Sequence, residues 1–375
     1  GAHVALIINE DNNKVFDIAF RTPPKDSTGV AHIIEHTVLC GSEKFPLKDP
    51  FVELAKGSLN TFLNALTYPD KTMYPVASCN DTDFRNLMEV YLDAVFYPNI
   101  YKTDKIFRQE GWHYELENAD APLTYTGVVY NEMKGAFSAV DSVLERTVFN
   151  GLFPDTPYGV ESGGDPDCIP NLTYDSYLDF HRTYYHPSNS YIFLYGDMDM
   201  EERLSWLDRE YLGKFDKKEI DSAIPYQKPF EKALRIQCDY PVLDDEPLED
   251  NTCLNMSIVT GNGLDVFTAT AFNVLEYVLL DAPGAPLKQA LLDAGIGKDV
   301  SGSYNDGLLQ HFFSIDAKYA NAQDADAFEK VIRETLEKIA DEGISEKALR
   351  AAVHYYEFRF READYSYYPK GLIYN

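Results

Sequence analysis

Positive charge is in short supply in this chain of 375 residues: 33 Lys and Arg face 61 Asp and Glu, a formal net charge of −28 spread over both halves. Phosphate backbones and anionic headgroups are poor company for such a surface, so neither nucleic acid nor membrane is expected as a partner, whereas a basic peptide would be attracted. A generally acidic proteome would give the same balance. Long apolar runs are also missing, and no stretch approaches the roughly 20 residues a helix needs to cross a bilayer. The N-terminus shows neither a signal-peptide apolar region nor an Arg-rich transit pattern. The chain opens almost directly on the strand-like His3-Val4-Ala5-Leu6-Ile7-Ile8, so a trimmed start is expected and that absence says little. Cysteine is sparse, with Cys40, Cys79, Cys168, Cys238 and Cys253 scattered and odd in number. That pattern argues against a disulfide frame or a Cys-type zinc site and fits reduced, mostly buried thiols in a cytosol-like compartment. The glycine-rich stretch 157–166 lacks the Lys-Ser/Thr of a phosphate loop, which argues against nucleotide binding.

What the chain does have is apolar residues, 45% of the total with 14% aromatic, enough to fill the cores of two domains or more. Residues 3–9 and 14–21 read as two strands of a hairpin turning at Asp11-Asn12-Asn13. A helix is expected over 50–56, and a strand of mixed faces over 58–67 that is either an interior strand or an edge able to accept a peptide. Helices follow at 81–97 and 102–117, then one beginning near Tyr125 and running to Leu144. A helix at 173–185, a buried strand at 190–197 and a helix at 200–213 complete a first domain over 1–213. Residues 214–229 read as a linker. The second domain, 230–375, repeats the plan coarsely: strands near 232–239 and 252–260, helices at 264–281 and 286–294, strands near 299–305 and 309–318, and helices at 324–341 and 345–363. The fold class is therefore α+β, with two related domains. His181, His186, His311 and His354 have no ligand spacing and read as structural or surface residues.

The chemistry is concentrated in His32-Ile33-Ile34-Glu35-His36. Ser27 or Thr28 can cap a helix start and Gly41 can end one. On such a helix His32 and His36 lie one turn apart on one face, with Glu35 roughly 60° to the side. Two imidazoles and a nearby carboxylate suit a hydrolytic zinc site, in the inverse of the commoner zinc-protease order; histidines satisfying each other in a polar patch would look the same. Glu132 stands out separately, because it falls in the apolar stripe of the helix from Tyr125. A buried carboxylate there needs a metal, a shifted pKa or a cation such as Lys134 or Arg108.

With His32-x-x-Glu35-His36 and Glu132 in place, the chain resembles the inverzincin metallopeptidases of the pitrilysin/insulysin superfamily, and looks most similar to the presequence-protease branch. The likeness is carried by residues 20–29, Leu39-Cys40-Gly41-Ser42, 58–78, Gln109-Glu110-Gly111-Trp112, residues 128–135 and 157–166, and it thins beyond 200. It implies that His32, His36 and Glu132 bind zinc, that Glu35 is the general base, and that substrate backbone lies along Leu63, Asn64 and Ala65. It implies mainly antiparallel sheets with helices packed on them, in a half-clamshell whose chamber is completed by a C-terminal half of the same enzyme. Short or unfolded peptides are the implied substrates, and this chain the N-terminal catalytic half, weak or inactive alone. A non-catalytic or partner-dependent subunit of a processing peptidase or assembly complex is the alternative. The expected compartment is cytoplasmic, with the mitochondrial matrix as alternative. Some superfamily members carry a supporting carboxylate seven residues before the third ligand; Tyr125 stands there, so that role is unfilled.

Overall fold

The structure is a computed structural model that describes residues 1–362 except Asp244 and Glu246. The elements, in order, are β1 (His3–Ile8), β2 (Lys14–Arg21), α1 (Val30–Val38), α2 (Pro50–Gly57), β3 (Asn60–Leu63), β4 (Leu66–Thr67), β5 (Lys71–Ser78), α3 (Asp81–Phe96), α4 (Lys105–Glu110), β6 (His113–Glu115), β7 (Thr124–Thr126), α5 (Val128–Ala136), α6 (Val140–Leu152), α7 (Tyr174–Tyr184), β8 (Ser190–Gly196) and α8 (Met200–Glu210). Then come β9 (Thr252–Asn262), α9 (Val266–Glu276), α10 (Pro286–Asp293), β10 (Asp299–Asn305), β11 (Gln310–Ala320), α11 (Ala325–Glu342) and α12 (Glu346–Glu362). They form two compact units. The first comprises 1–142 and 154–225, and the second 143–153 with the described residues from 226 onward.

The first unit is built on a six-stranded sheet in the order β1-β8-β2-β5-β3, with β4 also on β5; only β1 and β8 run parallel. Phe16, Ile18 and Phe20 of β2 and Tyr74 and Val76 of β5 face one way. There they pack against Ile33, Ile34 and Val38 of α1 and Phe84, Leu87, Met88 and Tyr91 of α3. Burial of this face fixes which side of α1 turns away from the sheet, since Ile33, Ile34 and Val38 are fully buried and His32, Glu35 and His36 lie on the opposite side of the helix. The second unit has a three-stranded antiparallel sheet, β10-β11-β9, with a core that includes Leu287 and Leu291 of α10 and Phe328 and Ile332 of α11. The α+β class with mainly antiparallel sheets stands.

Several local readings are corrected. β1 and β2 are strands but not a hairpin: β8 inserts between them, Ile192 pairing with Val4 on one side and Ile18 on the other. Residues 58–67 are two short strands, β3 and β4, interrupted at Asn64-Ala65 and both paired to β5. The helix expected over 102–117 is confined to α4, and β6 follows it. Tyr125 lies in β7, so the next helix starts at Val128, and it breaks between Ala136 and Val140 into α5 and α6. Residues 232–239 are exposed throughout and belong to neither large sheet. Residues 363–375, including the expected end of the last helix, lie outside the described residues. None of the five cysteines forms a disulfide, and the expected burial is not met: Cys40, Cys168 and Cys253 are half-buried, Cys79 and Cys238 exposed. His181 is buried: its Nε2–H donates to the Val95 carbonyl, its Nδ1 accepts from the Tyr101 hydroxyl, and burial pushes its pKa down to about 3, as befits a structural histidine.

Candidate metal centre

The metal-type cluster begins with the way α1 is started. Neither Ser27 nor Thr28 caps it. The N-cap is Gly29, in the left-handed conformation at φ 69°, and no side chain caps the helix. A Cβ at Gly29 would lie 2.7 Å from the Gly163 carbonyl oxygen and from Gly164 Cα, so the helix start and the loop 157–166 meet backbone to backbone. Ser27 holds that loop, its carbonyl accepting from the Asp165 N–H at 2.8 Å and its hydroxyl from the Glu161 N–H at 3.1 Å. Gly41 lies beyond the helix, whose C-cap is Leu39.

This contact has a chemical result. The Gly163 carbonyl lies 2.9 Å from His32 Nδ1. A carbonyl can only accept, so Nδ1 carries the proton and Nε2 keeps its lone pair. One turn on, His36 Nδ1 is 3.4 Å from Glu110 Oε2, which leaves its Nε2 in the same state. The two rings meet edge to face with centroids 4.9 Å apart. Glu132 Oε2 lies 3.8 Å from His32 Nε2 and 3.7 Å from His36 Nε2.

Glu132 reaches this position from α5. Gly127, just before that helix, passes so close to Gly111 that a Cβ would meet the Gly111 carbonyl oxygen at 2.1 Å. The crossing ties the end of α4, with Glu110, to the start of α5. Glu132 is not buried in an apolar stripe: its side chain is 54% exposed, and Val129 is the buried residue of α5. The helix is only nine residues long, and the face bearing Glu132 turns toward the histidines. Arg108, one of the cations considered for it, pairs with Asp104 at 2.7 Å.

One ligand atom from each of His32, His36 and Glu132 lies within 4.8 Å of the others. Zinc bonded to nitrogen and oxygen at about 2.0–2.1 Å in a tetrahedron would set donors roughly 3.3–3.4 Å apart. The carboxylate stands 3.7–3.8 Å from each Nε2, a few tenths of an ångström too far, and with the three donor atoms within 4.8 Å of one another the trio must contract onto the ion; two neutral imidazoles with one carboxylate suit a catalytic zinc that keeps a position open. Glu35 stands outside this trio and accepts a 2.6 Å hydrogen bond from Thr67 Oγ1 on β4.

Electrostatics around the site are dominated by acid. Burial opposes protonation of His36, but the Glu110 hydrogen bond and the charges of Glu35, Glu132 and Glu110 outweigh it and raise its pKa. Burial likewise works against Glu110 as an anion, and the bonds from His36 and Gln109 overcome it, holding its carboxyl below the usual range. Leu63 and Asn64-Ala65 lie at the end of β3, an edge strand of the sheet. There the Asn64 carbonyl accepts from Tyr91 Oη at 3.1 Å and its N–H donates to the Pro75 carbonyl at 3.3 Å. Glu110, Gly163 and Thr67 received no role from the sequence, although all lie in stretches that carried the resemblance.

Two family models match the chain. One, described as Insulinase (Peptidase family M16), matches residues 20–133, and the other, described as Peptidase M16 inactive domain, matches residues 171–356. The chain belongs to peptidase family M16. All four residues of the His32-x-x-Glu35-His36 and Glu132 set fall within the first M16 match, and none within the second. Among M16 relatives, Protein HypA of Clostridium perfringens is 53% identical over 373 residues, covering 100% of this chain and 38% of that protein. Presequence protease 1, chloroplastic/mitochondrial, of Arabidopsis thaliana is 47% identical over 377 residues, covering 99% of this chain and 35% of that protein. The chain thus spans little more than a third of the length of these curated relatives. The crystal structure of a protease from Helicobacter pylori matches with a TM-score of 0.68 at 18% identity, covering 96% of this chain and 83% of that one, a likeness of fold alone.

Proposed function

We propose that the chain is the zinc-binding catalytic portion of a metalloendopeptidase that hydrolyses short or unfolded peptides. The observation that carries this reading is the convergence of two Nε2 atoms and one carboxylate oxygen, with a second carboxylate, Glu35, beside them and free of ligation. His32, His36 and Glu132 would hold the zinc, which would supply Lewis acidity toward a peptide carbonyl and toward water at neutral pH. Glu35 is the general base. Thr67 engages its Oε2, which leaves Oε1 to take a proton from the attacking water and pass it to the departing amine. Leu63, Asn64 and Ala65, at the sheet edge, take the backbone of an extended peptide as an added strand. The acidic surface favours basic peptides.

A second reading, a non-catalytic or partner-dependent subunit of a larger assembly, rests on the match of residues 171–356 to a domain described as inactive. Peptide hydrolysis by the full-length protein separates the two. The expected result is zinc-dependent cleavage of an unstructured basic peptide, abolished by a chelator, restored by zinc, and absent on a folded protein of the same composition. Zinc uptake with no cleavage of any unstructured peptide would favour the subunit.

A further inference from the structure

Glu110 is the one carboxylate of the cluster that neither ligates nor takes a proton in the account above, and it is the most enclosed of them, only 8% exposed. It ends α4 where Gly111 crosses Gly127. Oε2 faces His36 Nδ1 at 3.4 Å and Oε1 accepts from Gln109 Nε2 at 2.8 Å. Among the described residues its recorded ion pair is with His36, not with a Lys or Arg. An anion kept from water is stable only when well partnered, and an imidazole partners it best when electron-deficient.

A cation on Nε2 produces that condition. Bonding the metal withdraws electron density from the ring and makes Nδ1–H more acidic, so its bond to an anionic acceptor shortens and strengthens. The two histidines are not equivalent here. His32 is backed by the neutral Gly163 carbonyl, His36 by a charge.

We propose that Glu110 is a positioning residue for His36: its buried carboxylate holds Nδ1–H, fixes the tautomer and ring, and makes Nε2 the stronger donor to the metal. This rests on the zinc reading of the cluster.

The test compares wild-type protein with Glu110→Gln and Glu110→Ala, measuring zinc affinity by competition with a chromophoric chelator and the melting temperature of the metal-free protein. Gln keeps the shape and one acceptor but loses the charge. Roughly 10- to 100-fold weaker zinc binding is expected in both variants, with the metal-free melting temperature of Glu110→Gln at or above that of wild type. Glu110→Gln within about twofold of wild-type affinity overturns the proposal, whatever Ala does. So does an affinity loss matched by a fall in the metal-free melting temperature of Glu110→Gln, which would mark a purely structural role. If Glu110→Ala does not fold, Glu110→Gln decides. Failure of the wild type to take up zinc would be a failure of the zinc reading itself, visible in the first arm.

Discussion

Replacing Glu35 by Gln is expected to leave the zinc content at the wild-type level while turnover of a peptide by the full-length protein falls by about a hundred- to ten-thousand-fold. Gln is isosteric with Glu but has no basicity, and general base catalysis is worth that range. The prediction separates binding from chemistry because Glu35 lies outside the trio whose ligand atoms cluster within 4.8 Å. Thr67 still has an amide oxygen to which it can donate, so the β4 contact at 2.6 Å survives and the fold is not disturbed. Zinc content, by elemental analysis, and kcat should therefore part company. Turnover near the wild-type rate would assign the base to another group; loss of zinc would make Glu35 a ligand.

Residues 1–375 alone are expected to hold zinc but to cleave peptides at least a hundredfold more slowly than the full-length protein, and to gain activity when the remainder is added in trans. The proposed ligands all lie between residues 32 and 132, so uptake does not need the rest. Catalysis does. The trio and Glu35 include no donor for a substrate oxyanion, and the side chain of Glu132 is 54% exposed to water. Missing oxyanion donors cost about 3–4 kcal/mol in barrier, and water left in the site weakens every charge interaction further. Peptide cleavage by the fragment, with and without the downstream segment, checks this. Full activity of the fragment at zinc saturation would mean that its own residues complete the site.

How much of this was legible in the sequence depended on distance along the chain. His32, Glu35 and His36 share a helix, and helical periodicity alone puts the histidines on one face away from Ile33 and Ile34. Glu132 was singled out for a reason the structure overturns: the stripe that was to bury it is a nine-residue helix with little buried surface, and what it meets are two imidazoles from another element. The residues backing the histidines could not be read at all. Gly163 is 131 residues from His32 and Glu110 is 74 from His36, and a carbonyl leaves no mark in a sequence.

The fold follows the same rule. The paired strands β10 and β11 were legible because they are near neighbours in the chain and antiparallel. β1 and β2 were misjudged as a hairpin because strand-turn-strand is a local pattern, whereas β8, arriving some 170 residues later, takes the place between them. The helix run on to 117 missed the break at Gly111, where the backbone approach of Gly127 is a tertiary demand that no helical propensity reports.

The most direct measurement is the zinc content of purified wild-type protein and of Glu132→Ala, His32→Ala and His36→Ala after dialysis against metal-free buffer. One zinc per chain is expected in the wild type, and a fall to below about a tenth of that in each variant, with the circular dichroism spectrum of each preserved. Wild-type protein without zinc, or a Glu132→Ala variant that keeps a full equivalent, would contradict the three-residue site.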